Sequence, residues 1–322
     1  MEYSDQPLFL TMDFIRKYVL TYLKGMGMGA ADIVPGVSGG SIALITGIYE
    51  ELLESINSFN GENFKLLLKF EFKAFFHAVN GVFLLSLFLG ILTSIFSLSK
   101  LITYLMAEHP IPLWSFFCGL ILVSAFLILK DIKQWGVGVI FALVIGTVSA
   151  YFITELPPTS SPDALWFTFV AGAIAICAMI LPGISGSFIL LILGKYEPVL
   201  HAVSERDFVT LAVFALGCIV GLLSFSRVIS WLLKRYYSIT IGLLSGFMLG
   251  SINKLWPWKI VTAYRTSSSG EEKPFLTKNL LPSEYLDQTG FEPKLLIAVV
   301  AFLFGILLVY GIDRLAAYLK KS

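Results

Sequence analysis

The feature that most constrains the fold is a segment that occurs twice within apolar sequence. Residues 31–50 align without gaps onto residues 178–197, and 12 of the 20 aligned positions are identical. Both copies contain Pro-Gly-x-Ser-Gly, at 35–39 and at 182–186. Weaker matches continue downstream, where the offset falls from 147 to 127 residues. Internal symmetry of this kind predicts two structural copies of one unit.

The composition around both copies predicts a membrane protein. Of 322 residues, 57% are hydrophobic and only 14% are charged, and the mean hydropathy is +0.82. A net charge of +1 provides no strong field for nucleic acid, so no nucleic-acid partner is expected. Several apolar runs approach the roughly 20 residues that cross a bilayer. They lie at 79–99, 113–129, 137–153, 165–181, 211–233, 239–252 and 295–312.

Each Pro-Gly pair interrupts an apolar segment and predicts a re-entrant hairpin. Proline removes a backbone donor and glycine adopts unusual dihedrals, and such a break is tolerated at membrane depth only inside protein or beside a water-filled cavity. We expect hairpins at about 20–56 and 165–201, with tips at Pro35-Gly36 and Pro182-Gly183. About three transmembrane helices after each hairpin complete an all-α polytopic membrane protein. Its two repeats, 1–154 and 155–322, have inverted topology.

Basic residues predict the orientation, because short cytoplasmic loops concentrate Lys and Arg. An odd number of spans separates the hairpins, so the second repeat should start from the opposite face, with both termini in the cytoplasm. The polar stretch at about 259–293 is then external. It is expected to be a surface loop, with a gate or a partner-binding segment as the alternative. The basic residues assigned to the cytoplasm are Arg16, Lys17, Lys24, Lys65, Lys69, Lys73, Lys130, Lys133, Lys234, Arg235, Lys320 and Lys321, and the exceptions are Lys195 and Arg206.

The residues after each Pro-Gly pair are candidates for an anion site. Ser38 and Ser185 are suited to cap new half-helices, whose free N–H groups carry partial positive charge. Small side chains allow an anion to approach this backbone, and two-fold symmetry should bring both tips together. The alternative is that the breaks only kink and pack helices. The candidates are Ser38, Gly39, Gly40 and Ser41 in the first tip, and Ser185, Gly186 and Ser187 in the second.

Charged residues inside apolar sequence add further candidates. Lys100 and Arg227 occupy matching positions, where a cation is costly and suggests phosphate binding, although snorkelling to the interface is the alternative. Asp32 lies near the first tip and has Met179 as its counterpart. Proton carriage and a structural hydrogen bond to the broken backbone are both open for Asp32.

Three more polar residues are candidates for coupling or gating. The sequence predicts no cluster of catalytic or metal-binding residues. Glu50 and Glu197 match each other, with hydrated helix-end anchors as the simpler interpretation, and Asn253 is a candidate to face the cavity. The three histidines share no spacing, and neither HExxH nor Gly-x-Ser-x-Gly occurs. We therefore predict no catalytic residue, no metal site and no cofactor.

Three motifs resemble those of the bacterial polyprenyl-phosphate transporter family, formerly a domain of unknown function. They are Gly-x-Gly-Ala-Ala-Asp-Ile-Val-Pro-Gly-Val-Ser-Gly-Gly at 27–40 with Gly-Ile-Tyr-Glu at 47–50, Leu-Pro-Gly-Ile-Ser-Gly-Ser at 181–187, and Gly-Ser-x-Asn-Lys-x-Trp-Pro-Trp at 250–258. The resemblance spans nearly the whole chain. It implies recycling of undecaprenyl phosphate, the lipid carrier of cell-envelope glycans, from the outer to the inner leaflet of the cytoplasmic membrane.

The resulting hypothesis is a translocase. The phosphate head would cross a polar path formed by the tips, Lys100 and Arg227, while the tail stays in lipid. Its partners would be the polyprenyl-phosphate substrate and membrane lipids, and a homo-oligomer is left open. A secondary transporter or channel for a small anion is the first alternative. A membrane phosphatase is the second, although no matched nucleophile and general acid are seen.

Overall fold

The first half of the chain forms eight helices in the region that is described. The computed structural model describes residues 12–34, 36–159, 161–266 and 272–319. Within residues 12–155 the elements are α1 (Met12–Ile33), α2 (Gly39–Ile45), α3 (Tyr49–Asn57), α4 (Gly61–Leu68), α5 (Phe72–Ala78), α6 (Gly81–Glu108), α7 (Pro110–Lys130) and α8 (Val137–Glu155).

The second half repeats this order of elements with two differences. The helices α9–α13 correspond to α1–α3, α6 and α7, and α6 and α12 both contain 28 residues. The short helices α4 and α5 have no counterpart, which explains the smaller downstream offset. A strand pair and a short helix precede the last helix. The elements are α9 (Leu165–Ile180), α10 (Gly186–Ile192), α11 (Tyr196–Ser204), α12 (Phe208–Arg235), α13 (Tyr237–Leu255), β1 (Lys259–Thr266), β2 (Glu272–Asn279), α14 (Pro282–Thr289) and α15 (Leu295–Leu319).

The long apolar helices make the chain a multi-pass membrane protein. Among the described residues, six helices are long and apolar enough to cross a bilayer, namely α6, α7, α8, α12, α13 and α15. A seventh span results if α10 and α11, bent by 105° to each other, are counted together. Helix α9 is equally apolar but only 16 residues long.

Glycine brings the long helices into close parallel pairs. The pairs are α1 with α6, α9 with α12, α7 with α15, and α8 with α13. In each pair, a Cβ atom on a glycine would overlap or press against a backbone carbonyl of the partner helix, as at Gly172, where it would lie 2.6 Å from the Phe214 oxygen. Small residues allow membrane helices to approach to backbone contact, which increases van der Waals packing. Other glycines in such contacts are Gly25, Gly29, Gly90, Gly119, Gly146, Gly217, Gly221, Gly246, Gly250 and Gly305.

Replacing Gly246 by leucine should separate α8 from α13. A Cβ atom at this position would overlap the Leu143 carbonyl oxygen and lie 3.0 Å from the Gly146 Cα, so no side-chain rotation relieves the clash. We expect the thermal unfolding temperature in detergent to fall by roughly 5–10 °C. Gly138→Leu is the matched control on the same helix pair, because its Cβ meets only the end of the Ile239 side chain, at 3.4 Å. Equal unfolding temperatures for the two variants would contradict this packing.

The described residues of the polar segment at 259–293 form strands and a helix and not only a surface loop. Strands β1 and β2 pair antiparallel, with Lys259 opposite Asn279. Trp256 Nε1 donates to the Leu280 carbonyl and Trp258 Nε1 to the Pro293 carbonyl, each at 2.8 Å. The expectation of an all-α chain is therefore wrong for this segment, although the chain is mostly helical. Long apolar runs identify membrane helices, but they do not reveal a short β-hairpin in the polar sequence between two of these helices.

Ion pairs gather several helix ends on one side of the molecule, which we call the basic face. Lys17 of α1 pairs with Glu51 of α3 at 3.1 Å, and Lys234 of α12 pairs with Glu54 of α3 at 2.8 Å. Gly138 and Ile239 are in contact, so the starts of α8 and α13 also lie together. These exposed pairs contribute little stability. They show that the start of α1 and the end of α12 share the basic face.

The other ends of these helices form the opposite face. The amide of Thr159, just after α8, donates to the Ile192 carbonyl at the end of α10 at 2.9 Å. Asn253 in the last turn of α13 donates to Glu155 at the end of α8. The break between α10 and α11 therefore lies beside the ends of α8 and α13.

Candidate functional site

The two broken segments share their backbone conformation at the break. Gly36 and Gly183 have φ angles of +87° and +86°, in the left-handed region that glycine adopts without strain. Helices α2 and α10 begin three residues later, with Ser38 and Ser185 at their N-cap positions as predicted, although only Ser38 forms a side-chain cap hydrogen bond. Pro182 is fully buried, whereas Pro35 of the predicted first tip lies outside the described residues.

The first tip is closed by the protein itself. Ser38 and Ser41 are fully buried, and Ser38 Oγ accepts a hydrogen bond from the Gly40 amide at 3.1 Å. Asp32 Oδ1 accepts from the Gly39 amide at 2.7 Å. A Cβ atom at Gly39 would lie 2.6 Å from the other oxygen of this carboxylate. The carboxylate of Asp32 therefore occupies the place that the sequence predicts for an anion. Of the two roles left open for Asp32, the structural hydrogen bond to the broken backbone is formed.

The second tip lacks this internal anion. Met179 occupies the position of Asp32, and its Cβ would lie 3.1 Å from a Cβ at Gly186. Ser185 Oγ and Ser187 Oγ are 2.8 Å apart, and Ser187 is exposed. The amides of Gly186 and Ser187 have no acceptor among the described residues. The two tips match in backbone, but within the described ranges the helix-start donors are unoccupied at the second tip and occupied at the first.

The two tips are in direct contact. Ser38 Oγ donates to the Met179 carbonyl at 3.0 Å, and the Gly183 amide donates to Ser41 Oγ at 2.8 Å. A Cβ atom at Gly40 would overlap the carbonyl oxygen of Ile180. Residues separated by about 140 positions in sequence therefore meet at one place, where both apolar segments are broken.

Lys100 and Arg227 lie on exposed faces of α6 and α12, not at the tips. Each stands eight residues before the end of its 28-residue helix, so the two positions match in the structure as in the sequence. Neither forms a hydrogen bond or ion pair with a tip residue within the ranges that the structure describes. Glu50 is exposed at the start of α3, and Glu197 is partly buried at the start of α11. A role for these four residues in binding or coupling stays a prediction.

Asn253 joins three elements on the opposite face. Its side-chain amide donates to Glu155 Oε1 of α8, and its side-chain oxygen accepts from Asn279 Nδ2 of β2 at 2.8 Å. The polar segment after α13 is thereby tied to the helix ends. Gating by Asn253 stays a prediction.

Lys254 is a functional candidate that the sequence analysis included only within the third motif. It lies in the last turn of α13, and its Cγ would be 2.9 Å from a Cβ at Gly36 of the first tip. Its ammonium group lies over the ring of Phe188 in α10, 4.7 Å from the centroid. Lys254 therefore contacts both broken segments. Its place four residues after Gly250, on the glycine face of α13 that packs on α8, is the sequence signal that could have identified it.

A second lysine lies beside Lys254. Lys259, the first residue of β1, donates to the Lys254 carbonyl, and its ammonium group is 3.9 Å from the centroid of the Trp114 ring. Burial, together with the positive charge of Lys254, lowers the pKa of Lys259 to about 7. Desolvated ammonium groups are costly without an anion, which makes this pair an attractive site for one.

This architecture defines a multi-pass membrane protein with a polar site between broken helices, an arrangement known from membrane transporters. The sequence model of the undecaprenyl phosphate translocase-like family matches residues 28–273, and the chain belongs to this family. The resemblance drawn from the three motifs is thus confirmed.

Two relatives cover most of the chain. It is 50% identical over 299 residues to the polyprenyl-phosphate transporter of Vibrio cholerae serotype O1, which covers 93% of this chain and 97% of the relative. It is 33% identical over 256 residues to the polyprenyl-phosphate transporter of Staphylococcus aureus, which covers 74% of this chain and 86% of the relative. No solved structure matches the chain.

Proposed function

We propose that this protein translocates undecaprenyl phosphate across the bacterial cytoplasmic membrane and so returns the lipid carrier to the inner leaflet for cell-envelope synthesis. Family membership and the names of both relatives support transport of a polyprenyl phosphate. The observation that carries the proposal is the contact between the tips, where the Gly183 amide donates to Ser41 at 2.8 Å. It joins two interrupted membrane segments at one polar site, where a head group can cross.

We propose further that the two halves, 1–154 and 155–322, are inverted repeats with re-entrant hairpins. The directions of matching helices support this, because α1 begins at the basic face whereas its counterpart α9 follows the loop at the opposite face. Likewise, α6 begins near α3, where Asn80 donates to Glu51, and its counterpart α12 ends beside α3. The positive-inside rule assigns the basic face, and with it both termini, to the cytoplasm.

The phosphate head would be received on one exposed helix face and pass the tips. Lys100 and Arg227 suit the first contact, because both are exposed at equivalent positions of α6 and α12. The tip residues then offer backbone and hydroxyl donors, while the isoprenoid tail remains in lipid. Asp32, Glu50, Glu197 and Asn253 are the candidates for coupling or gating in this pathway.

Leaflet exchange in liposomes tests the proposal. The purified chain should accelerate exchange of undecaprenyl phosphate between leaflets, and Arg227→Gln should slow this exchange because a neutral amide loses the bidentate, charge-assisted contact with phosphate. Lys278→Gln is a suitable control, since Lys278 lies on the exposed edge of β2. If exchange proceeds at the protein-free rate, the chain does not translocate this lipid.

The same liposomes separate the alternatives. A carrier or channel for a small anion would move inorganic phosphate faster than it exchanges the lipid. A phosphatase would release inorganic phosphate from polyprenyl diphosphate. Both relatives are named as transporters, which supports a function without such chemistry.

A further inference from the structure

We propose that Lys254, assisted by Lys259, forms the binding site for the phosphate monoester head between the two broken segments. This inference rests on the proposed function and gives the translocated head group its cationic partner. It also assigns the main positive charge of the pathway to Lys254, which contacts both broken segments, instead of to Lys100 and Arg227.

The position of Lys254 is the first observation. Its side chain passes Gly36, and its ammonium group reaches the face of Phe188, so one cation spans the first tip and the helix that follows the second. Gly36 leaves this space open, because a Cβ atom there would lie 2.9 Å from the lysine Cγ. A conformational change that moves one broken segment against the other would therefore alter the surroundings of this ammonium group directly.

The missing counterion is the second observation. In the part of the chain that the structure describes, Lys254 has no carboxylate in ion-pair contact and no hydrogen-bond acceptor. Glu155 lies on the same pocket wall and attracts Lys254 from beyond ion-pair distance, while its carboxylate accepts from Asn253. Among the residues that the structure describes, Lys259 also has no carboxylate in ion-pair contact. Without a carboxylate in contact among the described residues, the Lys254 ammonium group keeps positive charge that an anion would neutralise, and Lys259 adds to this charge when it is protonated.

The pocket beside Lys254 is the third observation. It opens on the opposite face, and its wall includes Thr154, Glu155, Phe188, Leu191, Asn253 and Lys254. The wall thus combines polar donors with apolar side chains from α10. The Lys254 ammonium group on this wall suits a phosphate monoester, which carries between one and two negative charges near neutral pH. The adjacent Phe188 and Leu191 suit the first carbons of an alkyl chain.

A helix-dipole role does not account for both lysines. A cation near the end of α13 would be stabilised by the last carbonyl groups. Lys259 already donates to the Lys254 carbonyl, whereas the Lys254 ammonium group points away to Phe188. Lys259 acts as a positioning residue that fixes the end of α13, and it adds charge to the site when protonated.

Binding of a short-chain prenyl phosphate to the detergent-purified full chain tests the site. Farnesyl phosphate should bind to the native protein, and Lys254→Gln should weaken binding by about 10- to 100-fold, as expected for the loss of one charge-assisted contact. Lys254→Arg should retain most of the affinity, and Lys278→Gln should bind as the native chain does. Unchanged binding in Lys254→Gln would overturn the inference.

A second measurement uses the native chain and therefore does not depend on whether the Lys254 variants fold. Farnesyl phosphate should protect Lys254, but not Lys278, from acylation by an amine-reactive reagent, and absence of protection overturns the site. Inorganic phosphate at equal concentration should protect less, whereas equal protection would overturn the assignment to a lipid head group. If the native protein exchanges lipid normally but farnesyl phosphate does not protect Lys254 from acylation, this binding site is refuted and the proposed function is not. Absent exchange together with protection refutes the proposed function alone.

Discussion

Replacing Gly40 by alanine should abolish lipid exchange and strongly destabilise the fold. The new Cβ atom would overlap the Ile180 carbonyl oxygen and lie 3.1 Å from the Met179 carbonyl oxygen, and both are backbone atoms. The start of α2 would have to move away from the end of α9, which breaks the hydrogen bond from Ser38 to Met179. We expect a loss of several kcal/mol, since overpacking against side chains alone already costs about 1–3 kcal/mol.

The control for this prediction is Gly61→Ala. Gly61 is the first residue of α4 and has open space around it, so alanine should leave stability unchanged or raise it by up to about 1 kcal/mol. The unfolding midpoint in detergent and the exchange rate in liposomes should therefore change in Gly40→Ala and stay close to native in Gly61→Ala. A native exchange rate in Gly40→Ala would mean that contact between the tips is unnecessary for transport.

Replacing Asp32 should cause the second largest loss of stability, and the size of this loss should depend on the residue that replaces it. Asp32→Ala removes the acceptor of the Gly39 amide and should cost about 1–3 kcal/mol, because a buried donor is left unpaired. Asp32→Asn keeps an oxygen at this position and should lose less stability. Thermal unfolding of the two variants checks this order. Equal losses would show that the charge of Asp32, and not its acceptor oxygen, holds the first tip.

Transport by Asp32→Asn separates a structural role from proton carriage. If Asp32 carries protons, a pH gradient should stimulate exchange in the native chain but not in Asp32→Asn. If the folded Asp32→Asn variant responds to the pH gradient as the native chain does, the role of Asp32 is structural and consists of its hydrogen bond with Gly39. Measuring both variants in the same liposomes keeps protein density and lipid composition constant.

Local patterns in the sequence were sufficient for the membrane class and for the two breaks. Pro-Gly followed by Ser predicts the ends of α1 and α9 and the N-caps Ser38 and Ser185, because these effects act within a few residues. Long apolar runs predict the spanning helices for the same reason. The family also follows from the sequence, since three motifs across nearly the whole chain carry the resemblance.

The composition of the site was decided by contacts between distant residues. The sequence shows that Asp32 of the first tip has Met179 as its counterpart, but only the packing shows that the Asp32 carboxylate fills the first tip and that Met179 leaves the second open. The sequence directs attention to Lys100 and Arg227, whereas the packing of α13 brings Lys254 to Gly36 of the first tip and to Phe188 of α10.

The repeated Pro-Gly-x-Ser-Gly segment by itself determined that the chain contains two matched breaks within apolar sequence. Only the tertiary structure decided which groups face them. The reason is physical: proline and glycine act on their own backbone, whereas the charge at a helix end depends on which side chains the packing of other helices brings there.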